Sequence, residues 1–208
     1  MKVTIIAAVA ENNIIGKDNQ LIWRLPADMK FFKEKTLDHC IITGRKNYES
    51  IPEKFRPLPG RVNIIVSRNK DYIHEGTLTV HSIEAGLAEA KLMNETETFI
   101  IGGGEIYKQS MDLADEMWIT RVHKEFEGDT EFPFIDSFLW EENVFQRFTK
   151  DEKHNYDFTI YNYVRKNITC LECDKKAEFV RHTQFAGSHP YCAECANKEK
   201  DFNELNKI

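Results

Sequence analysis

The chain has 208 residues, 41% of them apolar, which is enough for one well-cored domain with a small appendage. Its 28 basic and 34 acidic residues leave a formal net charge of −6, which disfavours a polyanion as partner for the whole molecule and so sets nucleic acid aside. The opening "MKVTIIAAVAENN" turns polar too soon for a signal peptide, and no segment approaches the roughly 18 apolar residues of a membrane span, so the sequence reads as cytoplasmic.

Taken in order, "VTIIAAVA" (3–10) is a near-continuous apolar run of the kind that forms a strand buried on both faces. The next element is a helix over 26–37, opening on Pro26, whose missing N–H has no intrahelical partner to lose at a first helical position. Asp28 then falls in the first turn. An exposed acid there would complement the helix dipole for about 0.3–1 kcal/mol. Residues three and four apart share a helix face, however, so Asp28 lies beside Phe31 and Phe32 and is partly desolvated. An ionised acid in such surroundings is costly unless a donor from the protein or from a ligand meets it, and a nitrogen-rich ring would suit.

"CIITGRKNYES" carries a strand (40–43) through Gly44 into a helix (45–51) whose first residues are Arg45 and Lys46, and "RVNIIVS" (61–67) ends a neighbouring strand on Ser67 and Arg68. A strand over 77–80 and a helix over 82–92 precede "TFIIG" (98–102), which runs into three consecutive glycines, 102–104, and a helix over 104–111. Glycines at such a junction either let backbone N–H groups approach a phosphate or make a tight, closely packed turn. Single basic residues are usually solvated surface. Here the three loops fall at the carboxyl ends of strands, where open α/β sheets hold their ligands. The first strand is not followed by G-x-G-x-x-G and no acid is poised to read a bare ribose, so the basic groups favour the 2′-phosphate of NADP. After Ala114 come two β-rich stretches, 116–127 and 157–166, with no helix evident between or after them, which suits an antiparallel edge on a mostly parallel α/β sheet.

Residues 165–208 differ in character, with 8 basic against 7 acidic side chains where residues 1–164 have 20 against 27. "CLECDKKAEFVRHTQFAGSHPYCAEC" pairs Cys170 and Cys173 with Cys192 and Cys195 across 18 residues, within the spacing of four-cysteine zinc modules. Four thiolates close a tetrahedral site with no open position, so the ion, Zn²⁺, would be structural, and disulfides or redox-active thiols are the alternative. Its binding would supply much of the folding free energy of so short a stretch. His182 and His189 are expected on the surface or in packing, and Cys40 as a small buried hydrophobe. The module is similar to a zinc ribbon or treble-clef finger in ligand spacing only. It is expected to dock on the first domain or on a protein partner.

Residues 1 to about 164 resemble the dihydrofolate reductases along their whole length, through "TIIAAVAENNIIG", "WRLPADMKFFK", "IITGRKNYESI", "PLPGRVNIIVSR", "IIGGGEIY" and "EGDTEFP", in the family's order and spacing. The resemblance implies a mainly parallel, eight-stranded twisted sheet flanked by helices, and reduction of 7,8-dihydrofolate to tetrahydrofolate by NADPH. Asp28 would accept hydrogen bonds from the 2-amino group and ring N–H of the pterin, a charge-assisted pair whose donors arrive with substrate. By family geometry Asp28 tunes the ring and a water delivers the proton, with Trp23 and Thr120 holding ordered waters nearby. The segment from Ile15 to Trp23, including Gly16, Asn19 and Leu21, resembles the mobile lid over the nicotinamide.

Further contacts follow from the same resemblance. Ile6, Ala8, Met29, Phe32, Ile51 and Ile101 would surround pterin and benzoyl groups, and Arg61 would grip the α-carboxylate of the glutamate moiety. On the cofactor side stand Ala8, Gly44, Arg45, Lys46, Asn47, Ser67 and Arg68, then Gly103, Gly104, Glu105, Ile106, Tyr107 and Thr130. Three features depart from the family. Ile22 stands where a proline usually precedes the tryptophan, Asn47 replaces a usual threonine, and "IPEKFRPLPG" is slightly long. A riboflavin-pathway pyrimidine reductase shares the sheet and the glycine turn, but Asp28, Phe32 and Arg61 together favour folate. A non-catalytic regulatory protein using the zinc module for nucleic acid is the rival of another class.

Overall fold

The computed structural model describes residues 1–183, 187–197 and 206–208, with backbone alone at 181–183, 187 and 206. In chain order the first elements are β1 (Lys2–Ala10), β2 (Ile14–Gly16), α1 (Pro26–Thr36), β3 (Cys40–Gly44), α2 (Arg45–Ser50), β4 (Val62–Val66) and β5 (Thr77–Val80). They continue with α3 (Ile83–Leu92), β6 (Glu97–Ile100), α4 (Gly104–Ser110), β7 (Glu116–Val122), β8 (Thr130–Glu131), β9 (Trp140–Phe148) and β10 (Phe158–Arg165). The chain divides into two compact units, Met1–Phe134 with Glu142–Val164, and Ile135–Glu141 with Arg165–Ile208.

Eight strands form one sheet in the order β5-β4-β3-β6-β1-β7-β10-β9. Pairs from β5 through β7 run parallel and β10 lies antiparallel to β7. The predicted continuous apolar runs have a direct cause in β3. Ile41 belongs to the core on one face of the sheet with Ile6, Phe99, Trp118 and Phe158, while Cys40 and Ile42 join Ile64, Val80 and Ala90 in a second cluster. Both faces are covered, so the strand needs no polar alternation. Cys40 is buried as expected.

Two features differ from the sequence expectation. β9, "WEENVFQRF", lies at the sheet's edge and has seven exposed residues in succession from Glu141 to Arg147. It bears the charges that protect an edge, and these hide it from a search for apolar periodicity. The short pair β2–β8 joins antiparallel, Ile14 to Glu131 and Gly16 to Thr130. Between β2 and α1, Lys17 and Gln20 close a tight turn with Asp18 and Asn19 both at positive φ, which Asp and Asn tolerate better than most residues.

In the second unit, β11 (Phe179–Thr183) lies between β12 (Gly187–Tyr191) and β13 (Asn206–Lys207), antiparallel to both, and one helical turn, α5 (Ala193–Ala196), follows β12. No helix among the described residues is long and apolar enough to cross a membrane.

Candidate active site and a four-cysteine cluster

α1 starts after Leu25, which contributes no side-chain cap, and Pro26 occupies a first-turn position as predicted. Leu25 is almost fully buried, and Ala27, Phe31 and Phe32 pack on the same core cluster. These anchors turn Asp28 inward toward β7, where Thr120, itself buried, donates its hydroxyl to Asp28 Oδ1 at 2.6 Å. Burial pushes the Asp28 carboxyl up to about 6, and the Thr120 hydrogen bond offsets only part of that rise. Part of the side chain's surface nevertheless stays open. Asp28 is therefore enclosed by protein without being wholly buried. Among the described residues no basic side chain pairs with it.

The other site candidates come from several elements. Tyr107 of α4 is buried, donates its hydroxyl to the Ile6 carbonyl at 2.8 Å, and has its phenol raised by burial and then by the negative charge of Asp28. Trp23 is buried with its ring 5.2 Å from that of Phe126. Phe31 packs edge-on against Trp118 at 5.4 Å. Phe32 lies beneath the Arg61 guanidinium, 5.9 Å from its ring centre. Arg61 is braced by the Pro59 carbonyl and by Thr36 Oγ1, both at 3.1 Å, and no carboxylate among the described residues pairs with it. Ile6 and Ile101 are buried, Ala8 and Ile51 are half-buried, and Met29 is exposed.

The strand-end loops come together as the sheet register requires. Gly44 ends β3 opposite Val66 of β4, and its N–H donates to the Gly102 carbonyl at 2.7 Å beyond β6. Gly102 has φ +99, and a Cβ there would fall 2.8 Å from the Tyr107 ring. At Gly103 a Cβ would meet nothing nearer than Asn47 Cβ at 3.7 Å. Ser67 is buried behind Arg68, which is exposed, and Arg45 is bonded to Glu49 through both carboxylate oxygens. Lys46 and Glu105 are exposed, and Ile106 is buried. Asn47 behaves differently from a phosphate donor. Its Nδ2 donates to Thr43 Oγ1 at 2.9 Å and to the Ile101 carbonyl at 3.0 Å, so the side chain braces the glycine turn with both N–H groups engaged.

In the segment from Ile15 to Trp23, Leu21 is 64% exposed, while Ile15 and Gly16 are half-buried and Asn19 is exposed. Asp129, which drew no notice in the sequence, holds this segment by accepting the Asp18 N–H at 2.9 Å and the Thr130 hydroxyl at 2.8 Å. His154 also escaped sequence reasoning. It lies 127 positions from the backbone N–H it bonds, and no local pattern announces such a contact.

Residues 2–165 match the family model described as dihydrofolate reductase. The chain belongs to the dihydrofolate reductase family. The Staphylococcus haemolyticus reductase is 40% identical over 165 residues, covering 79% of this chain and 96% of the relative, and the Bacillus subtilis reductase is 41% identical with 79% and 95% covered. The reductase of Neisseria gonorrhoeae reaches 48% over 142 residues, 68% of this chain and 85% of its own. Among solved structures, an Enterococcus faecalis dihydrofolate reductase complexed with NADP(H) and RAB-propyl shares 39% identity at a TM-score of 0.73, covering 79% of this chain and 96% of that one. The reductase sheet, Asp28 and the strand-end loops all lie within the matched residues.

Beyond the reductase match stands the cysteine cluster. The sulfurs of Cys170, Cys173, Cys192 and Cys195 all lie within 4.8 Å of one another. Cys173 Sγ is 3.7 Å from that of Cys192 and 3.8 Å from that of Cys195. A turn closed by the Cys170 N–H on the Lys175 carbonyl aims the first pair, and α5 presents Cys195 one turn after Cys192. Burial opposes ionisation of Cys170, but N–H groups of Cys192, Glu172 and Cys173 around its sulfur bring the thiol down to about 6. Cys195 is pushed up to about 12 by burial and by its three sulfur neighbours. Without a cation the four cannot ionise together. His189 is not a member of the cluster, and the His182 side chain lies outside the described residues.

Proposed function

We propose that this chain reduces 7,8-dihydrofolate to tetrahydrofolate with NADPH, and that Asp28 is the group that receives the pterin. The observation that carries this is a desolvated carboxylate, on a residue that is half-buried, with no cationic partner among the described residues. Such a charge is stabilised by paired N–H donors, and the 2-amino group and ring N–H of a pterin provide them together. Thr120 fixes the orientation of Oδ1, and Trp23, which is buried, would with it hold ordered water near the acid. Proton delivery then falls to a water beside the ring, with Asp28 tuning the ring's basicity. Arg61, held over Phe32 by two neutral acceptors, keeps its positive charge for the substrate's glutamate carboxylate.

The residues present fit NADPH, which supplies the hydride when bound. Space at Gly103, the basic side chains of Arg45, Lys46 and Arg68, and the hydroxyl of Thr130 stand at the strand-end loops and β8. Ser67 is buried, but the neighbouring loop backbone and Arg68 are open to a phosphate. Loss of NADPH absorbance on adding dihydrofolate tests the assignment, and no turnover at any pH would sink it.

Two variants probe the two halves of the site. Arg61→Lys should raise KM for dihydrofolate about tenfold with kcat little changed, because the planar fork is lost while the charge stays. Steady-state kinetics on dihydrofolate and on a pterin lacking the glutamate would check this, the second being unaffected. In Gly104→Ala the new Cβ would lie 2.8 Å from Thr130 Cγ2 and 3.1 Å from the Glu131 carbonyl. Displacing β8 should cost roughly 1–3 kcal/mol and weaken NADPH binding, read by denaturant melts and fluorescence titration.

We propose further that residues 165–208 are a module built on one structural Zn²⁺ held by Cys170, Cys173, Cys192 and Cys195. With Zn–S bonds of about 2.3 Å, tetrahedral ligands stand about 3.8 Å apart. The spacings of Cys173 to two different sulfurs, 3.7 and 3.8 Å, agree with that, whereas a disulfide requires one partner at about 2.05 Å. The Lys175 ammonium, raised by its bond to Glu194 and by the nearby Cys192 and Cys173, offsets excess thiolate charge.

A further inference from the structure

We infer that His154 is a positioning residue for Asp28, fixing the start of the helix that presents it; this rests on the role proposed for that acid. α1 has no side-chain cap of its own, and Pro26 brings no N–H. The first N–H of the helix without an intrahelical partner is that of Ala27, next to Asp28, and it donates to His154 Nε2 at 3.2 Å. A nitrogen that accepts an N–H carries no proton. The ring is thus the neutral tautomer protonated at Nδ1, which donates to Asp151 Oδ1 at 2.8 Å.

The ring is held in that role from every side. Asp151 Oδ1 also accepts the N–H groups of Lys153 at 2.8 Å and His154 at 2.7 Å, which locks the turn under the imidazole. Phe148 and Phe158 stack on one another at 4.5 Å and flank His154 at 6.2 and 5.5 Å. The residue is only 7% exposed, and Asp151 is the charged group bonded to it. Asp28 depends on where α1 begins, since its carboxylate must reach Thr120 from the first turn. An imidazole 127 positions along the chain from the N–H it accepts thereby sets the position of the substrate-binding charge.

The test compares His154→Phe, which keeps an aromatic body beside Phe148 and Phe158 but has no acceptor, with His154→Gln, whose amide oxygen restores one. His154→Phe should lower kcat/KM for dihydrofolate about tenfold. It should also move the titration midpoint of the Asp28 carboxyl carbon followed by NMR, and leave the NADPH dissociation constant unchanged. His154→Gln should recover most of both losses. Equal behaviour of the phenylalanine variant and the parent would overturn the assignment, as would equal losses in both variants accompanied by weaker NADPH binding. Should the parent fail to turn over dihydrofolate, the reaction proposed above falls, and the Asp28 titration alone decides for or against His154. In the parent itself, ring nitrogen shifts must show Nε2 unprotonated; a proton there overturns the proposal even if neither variant folds.

Discussion

Asp28→Asn is expected to fold, to be more stable than the parent at neutral pH, and to lose on the order of a hundredfold in kcat/KM there. The fold survives because an amide oxygen still accepts the Thr120 hydroxyl that Oδ1 accepts now. Stability rises because the carboxyl titrates at about 6 in the folded chain, above its ordinary range, so above that pH the native state carries a desolvated charge that the unfolded chain hydrates. The cost is complete above pH about 6, shrinks as pH falls, and is gone below the ordinary carboxylate range. The shift corresponds to roughly 2 kcal/mol once the partial exposure of the residue is allowed for. Denaturant melts of both proteins at about pH 8 and about pH 4 should therefore differ at the first and converge at the second. Activity should run the other way. The parent's advantage is greatest where Asp28 is ionised and narrows as pH falls through about 6, where the parent itself becomes neutral. Parallel activity profiles across pH, or a mutant less stable than the parent at about pH 8, would contradict the role given to this acid.

What the sequence disclosed depended on whether its signal was local. Runs such as "CIIT" announce a strand covered on both faces because every side chain must be apolar, and the structure buries Cys40, Ile41, Ile42 and Thr43 accordingly. Asp28 was legible for the same reason, since helix spacing alone sets it beside phenylalanines. β9 was not, because an edge strand carries charge where a central strand carries apolar side chains. The β2–β8 pair is three residues against two, and its alignment comes from tertiary packing around Gly128, where a Cβ would lie 2.3 Å from Ile14 Cγ2. Asn47 shows a further limit. Its position identifies the loop, but only coordinates reveal that both amide hydrogens already bind Thr43 and Ile101. His154 is the extreme case, a contact made across most of the chain.

Stripping metal from the full chain is expected to unfold the second unit's hairpin and to release about one zinc per chain. Among the described residues of that unit, those buried are Trp140, Cys170, Ala177, Val180, Tyr191, Cys192 and Ala196, and two of these belong to the four-cysteine cluster. So small a core does not offset the conformational entropy of the strands around it, whereas structural zinc in small modules supplies about 10–16 kcal/mol. Removal should expose the amides paired between Phe179–Thr183 and Gly187–Tyr191 to solvent exchange, and Cys192→Ser should do the same without a chelator. Thiol chemistry gives an independent count. Cys40 is only 1% exposed and sits in the first unit, so its thiol should stay silent until that unit is denatured, while four others react as the metal leaves. A native chain with no zinc and no reactive thiol among Cys170, Cys173, Cys192 and Cys195 would mean that two disulfides hold the module. The nearly equal spacing of Cys173 from Cys192 and Cys195 argues against that pairing, since a sulfur bonded to one neighbour cannot stand equidistant from two.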